Sequence, residues 1–168
     1  MKFEKVRHAY GRFLELIAIV LMVALAVEVT VGVVFRYSGH ALAWYDEVAS
    51  ILLAWVTYYG AALGALRRAH LGVPELVRTL PAEARVVLAL VAEAFVFAFF
   101  IVLAWVGYSV LEVLATDTLV SLPQVSVAYT QSVIPISAVL FIIAQALTLP
   151  EVLRDARREM GHGTADFT

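Results

Sequence analysis

The chain contains no cysteine, so disulfides, thiolate nucleophiles and cysteine-ligated metal sites are all excluded. Charge is scarce as well: 15% of the 168 residues are Asp, Glu, Lys or Arg, and the formal net charge is −2. Nothing is left over to form a basic stripe, so no nucleic-acid partner is expected. There are four histidines, and His8, His40, His70 and His162 all lie in termini or connections between apolar runs. Buried haem in a four-helix membrane bundle needs axial ligands inside its helices, which disfavours a haem-binding or quinone-reducing bundle. Ser-His-Asp, H-E-x-x-H, Walker and dinucleotide-binding patterns are missing too. These absences argue against an enzyme and against any cofactor.

What the sequence has in excess is apolar length. It is 62% hydrophobic, with a mean hydropathy of +0.89. A water-soluble domain of this size does not tolerate that composition, because much of its surface faces water. The apolar residues gather in four runs, residues 13–35, 48–66, 86–111 and 125–149. Each is about 20 residues or more, enough at about 1.5 Å per residue to cross a hydrocarbon core of about 30 Å. Strand alternation is absent, and a lipid environment requires every backbone polar group to be satisfied within its segment. The expected fold is therefore all-α: an integral membrane protein with four transmembrane helices. Residues 1–160 make one membrane domain, and residues 161–168 read as a disordered C-terminal tail.

The charges that exist are sorted by side. Eleven of the twelve Lys and Arg residues flank the runs on one side of the membrane. Lys2, Lys5, Arg7 and Arg12 precede the first run, Arg67, Arg68, Arg78 and Arg85 lie between the second and third, and Arg154, Arg157 and Arg158 follow the fourth. Arg36 is the exception, and the segment between the third and fourth runs has no basic residue. Short basic loops stay in the cytoplasm, so both termini are expected there, with Arg67, Arg68, Arg78 and Arg85 as topology anchors. The basic start and Ala24-Leu25-Ala26 resemble a secretory signal. The apolar run continues to Phe35, broken only by Glu28, and is read as a span instead.

The connections are short. Tyr37-Ser38-Gly39-His40 is turn material on the outside. Between the second and third runs, Pro74 suits a helix start, Leu76, Val77 and Leu80 share a face, and Pro81 ends the segment. A short amphipathic helix on the inner membrane surface, helped by Arg78, is expected there. The third connection, residues 116–124, is polar and faces outward. No internal repeat is visible, which weakens an inverted-repeat transporter built from this chain alone.

Gly60 and Gly64 form a GxxxG pattern with Thr57 one turn earlier, a device for close helix packing in lipid. An intrachain crossing is the favoured reading over a contact with another subunit. Glu15 lies three residues after Arg12 and is placed to pair with it. Glu28 and Glu93 each sit about eight residues, or roughly 12 Å, inside a helix end. Carboxylates at that depth need protein or water around them. Trp55, Thr57, Ser132 and Ser137 are at the level of Glu28; Tyr58, Tyr59 and Gln145 are at that of Glu93. Hydrogen-bonded glue between helices is favoured over a proton or cation path, because nothing ionisable joins the two. At the first outer turn, Arg36, Trp44, Asp46 and Glu47 combine one cation, an interfacial aromatic and two acids at a helix start. A hairpin clasp in which Arg36 pairs with Asp46 or Glu47 is expected, on a surface open to an outer partner. Pro135 is expected to bend the fourth helix.

The pieces Phe35-Arg36-Tyr37, Trp44-x-Asp46-Glu47-Val48-Ala49, Gly60-Ala61-Ala62 and Arg67-Arg68-Ala69-His70 follow one another in order. With Pro81 before the third run and Leu122-Pro123 before the fourth, they resemble the small membrane subunit of tripartite ATP-independent periplasmic (TRAP) transporters. Tyr45-Asp46 stands where that family often has Ser-Glu, which keeps the charge. The resemblance implies a scaffold or stator subunit in the bacterial inner membrane. Its partners would be a large permease subunit, which carries the substrate and sodium sites, and a periplasmic binding protein that delivers organic acids. No transport residue carries over to this chain. The rival reading is an independent oligomeric transporter or channel with Glu28 and Glu93 lining a path.

Overall fold

The structure, a computed structural model, describes residues 2–67 and 82–162. Four helices in it are long and apolar enough to cross a membrane. Helix α1 runs Lys2–Tyr37, α2 Tyr45–Leu66 and α3 Ala82–Leu114; a short α4, Val127–Gln131, leads into α5, Val133–His162. The protein is all-helical, as expected. Leu76, Val77, Arg78, Leu80 and Pro81 of the expected surface helix lie outside the described residues, as does the expected anchor Arg68. So does most of the expected tail, although α5 continues to His162, two residues past the expected boundary.

Helix ends follow local chemistry. At the end of α1 the amide of Gly39 donates to the Arg36 carbonyl and that of His40 to the Phe35 carbonyl. Gly39 adopts a left-handed φ of 79°. This pattern closes a helix on a glycine and turns the chain back. Asp46 and Glu47 occupy the first turn of α2, where the helix dipole favours acids. The expected effect of Pro135 takes a definite form. It falls in the first turn of α5, and having no N–H it cannot bond back to Gln131, so the helix breaks at Ser132.

The spans pack in a row. Helix α1 lies against α2, α2 against α5, and α5 against α3. The edge helices α1 and α3 keep large apolar side chains exposed, among them Phe95 and Trp105 at 73% each. The interior helix α5 buries Phe141, Ala138 and Ala144. Both termini share one end of the row, where Arg7 of α1 is ion-paired with Glu151 of α5. Near that end Leu14, Ala62, Ala65, Leu66, Phe141 and Ala144 form the main core cluster. Phe100 of α3 stacks on Phe141 with ring centroids 3.7 Å apart. Small residues on α2 and α5 let these backbones approach, as apolar attraction alone cannot order helices in lipid.

Candidate functional site

The end of the row opposite the termini is built around Glu47. Its carboxylate accepts the backbone N–H of Val120 at 3.1 Å and of Ser121 at 2.9 Å, and also the Ser121 hydroxyl. The loop it grips is closed on itself. Thr118 and Ser126 form an antiparallel bridge, with the Leu119 amide bonded to the Val125 carbonyl and the Val127 amide to Asp117. Ser126 also caps α4 through the Ala128 amide. One carboxylate at the start of α2 thus fixes the connection between α3 and α4. Val120 of this loop is 93% exposed.

This differs from the expected clasp. Among the described residues the ion pairs are Arg7–Glu151 and Arg67–Glu15, so Arg36 pairs with neither Asp46 nor Glu47. Arg36 and Asp46 are exposed and Trp44 is half-buried. The α1–α2 hairpin is closed instead by Gly32 and Tyr45. A Cβ at Gly32 would fall 1.9 Å from the Tyr45 ring, so only glycine fits beneath that ring. Neither Gly32 nor the partners of Glu47 stand out in the sequence. An acid at a helix start is visible, but its serine partner lies 74 residues away.

The GxxxG face also differs from expectation. Among the described residues, a Cβ at Gly60 or at Gly64 would meet nothing within 4 Å. Thr57 and Ala61 on the same side are exposed, and the Thr57 hydroxyl bonds back to the Leu53 carbonyl. The pattern therefore marks an open strip of α2, not the favoured crossing within the chain. The close approach of α3 to α5 uses Gly107 instead, where a Cβ would lie 3.2 Å from Ile134 and 3.3 Å from Pro135.

The two deep glutamates part company. Glu93 of α3 accepts a hydrogen bond from the Gln145 amide of α5, one of the expected partners. Glu28 has one carboxylate oxygen buried and without a partner among the described residues. Its four expected neighbours are all engaged elsewhere. Trp55 donates to the Thr130 carbonyl at 2.9 Å, tying α2 to the segment just before the helix break, while Thr57 and Ser137 bond within their own helices and Ser132 bonds back to the Tyr129 carbonyl of α4. At the terminal end, Glu15 pairs across the hairpin with Arg67 and not with Arg12. That leaves Arg67 as a cross-helix contact in addition to a basic flank; the Arg85 side chain lies outside the described part of the structure. No cluster of metal-ligating residues occurs among the described residues.

The arrangement combines four membrane-length helices, a braced loop at one end and an open small-residue strip. Residues 25–155 match the family model described as tripartite ATP-independent periplasmic transporters, DctQ component. The chain belongs to that family. It is a TRAP transporter small permease subunit. A similar protein is the C4-dicarboxylate TRAP transporter small permease protein DctQ of Vibrio cholerae serotype O1, strain ATCC 39315 / El Tor Inaba N16961. The two are 31% identical over 102 residues, 60% of this chain and 44% of that relative. The matched part thus spans less than half of the relative's length. The DctQ-type match runs from α1 to α5 and includes Gly32, Glu47, Glu93 and the braced loop.

Proposed function

We propose that this chain is the scaffold subunit of a sodium-coupled, binding-protein-dependent secondary transporter for organic acids. It packs in the bacterial inner membrane against a large subunit that moves the substrate, and it helps to dock a periplasmic binding protein. The row of helices carries this reading. A row has two broad faces and encloses no path, and its strip of Thr57, Gly60, Ala61 and Gly64 is open to another helix. The relative's printed name refers to C4-dicarboxylates, which supports a carboxylate substrate here without choosing one. The chain's own residues offer transport no enzyme chemistry.

The eleven-to-one sorting of basic residues supports cytoplasmic termini. The braced loop then faces the periplasm with Arg36, Trp44 and Asp46, and Glu47 acts as the brace of that surface. The rival channel reading loses its shared path within one chain. Glu28 lies on α1 at one edge of the row, and Glu93 lies on α3 at the other, bonded to Gln145. Co-expression with a large subunit tests the scaffold reading. The two chains should co-purify from mild detergent as one complex, and independent migration under conditions that preserve each fold would refute it.

A further inference from the structure

Beside the core, at the terminal end, an open cleft of about 760 Å³ is lined by Glu4, Arg7, His8, Arg12, Glu15, Arg67 and Glu151, with Gly11 and Leu66. Two of its three arginines are already committed. Arg7 pairs with Glu151 and donates to the Leu66 carbonyl at 3.2 Å, and Arg67 pairs with Glu15. Glu4, His8 and Arg12 have no polar partner among the described residues. Four-residue spacing sets these three in one column along α1. The same column continues as Leu16, Ile19, Val20, Val23 and Val27, all between 57% and 61% exposed. The face therefore changes from charged to apolar between Arg12 and Leu16. A shallow groove of about 310 Å³ along Val23, Ala26, Val27, Thr30 and Val31 lies further up the helix.

The geometry points to a phospholipid site, with the headgroup in the cleft and an acyl chain along the apolar column. Arg12 and His8 are placed for the phosphodiester, as basic pockets at a membrane interface suit such groups. Glu4 selects among headgroups. The three arginines and three glutamates of the lining balance one another. An unpaired carboxylate is satisfied by a headgroup that carries N–H donors. A primary-amine zwitterion, phosphatidylethanolamine, meets both unpaired charges. Phosphatidylcholine has no N–H to donate, and phosphatidylglycerol brings a net negative charge toward Glu4. The site depends on the chain lying in a membrane and on nothing about transport.

Delipidated full-length chain, titrated with each lipid and read by native mass spectrometry, tests the assignment. Phosphatidylethanolamine should bind more tightly than the other two, and equal or tighter binding of either would overturn the site. Arg12→Gln should weaken it roughly five-fold, the effect of about one interfacial cation. Glu4→Gln should remove the preference for phosphatidylethanolamine over phosphatidylcholine. Unchanged binding by both variants, with unfolding midpoints equal to that of the parent, would refute the proposal. Soluble O-phosphoethanolamine should fail to displace the lipid at millimolar concentration, because it has no chain for the apolar column. Its displacing the lipid would reassign the cleft to a soluble phosphate ester.

Discussion

Among individual residues, Glu47 has the widest structural reach. It sits in the first turn of α2 yet holds two consecutive amides and a hydroxyl of a loop more than 70 residues away. Glu47→Ala should free those donors without disturbing the apolar core. Amide hydrogen exchange at Val120 and Ser121 should accelerate, while the Leu119 amide, bonded to Val125 within the loop, should change less. Unchanged exchange at Val120 and Ser121 would remove the brace from the account. Glu93 gives a contrasting test. Glu93→Gln keeps an acceptor for the Gln145 amide, so assembly and uptake should stay largely intact. Gln145→Leu leaves the carboxylate without its partner and should cost about 1–3 kcal/mol of stability. Loss of sodium-dependent uptake in Glu93→Gln, with normal assembly, would make that residue an ion site.

Glycines at the scale of the helix look alike in sequence and behave differently in the fold. Gly32 sits under the Tyr45 ring, whereas Gly60 and Gly64 meet nothing among the described residues. Gly32→Ala should force the α1–α2 hairpin apart locally and destabilise the chain by about 1–3 kcal/mol, the usual cost of overpacking. Gly60→Leu with Gly64→Leu should leave the chain's own thermal stability nearly unchanged and abolish co-purification with a large subunit. A stable double variant that still co-purifies would show that the strip is not the packing face. The sequence could not separate these positions, because a small-residue pattern states that two helices can approach but not which two. The helices themselves were legible, since run length and the cost of an unsatisfied backbone in lipid leave one solution. The break at Ser132 was legible only as a bend at Pro135.

For the whole molecule, the basic flanks and apolar runs carried the architecture, while the lateral order α1–α2–α5–α3 did not show in the sequence. Lipid is as good a neighbour for leucine as another helix is, so an apolar face does not announce its partner. Helix α3 illustrates this, with Phe95, Phe99 and Trp105 all exposed along its length. The outer cluster is legible as a set of residues but not as a geometry: the hairpin closes on Gly32 and Tyr45, not on Arg36. Because the chain has no cysteine, its topology is open to a clean test. Val120→Cys should react with a membrane-impermeant maleimide from the periplasmic side of intact cells. Labelling only after the inner membrane is breached would invert the orientation.

The central claim is that the chain serves transport as a scaffold and forms no pathway of its own. Reconstitution tests it most directly. Liposomes holding this chain alone should take up no organic acid under a sodium gradient. Liposomes that also hold the large subunit, supplied with the binding protein, should do so. Uptake by the isolated chain would contradict the account.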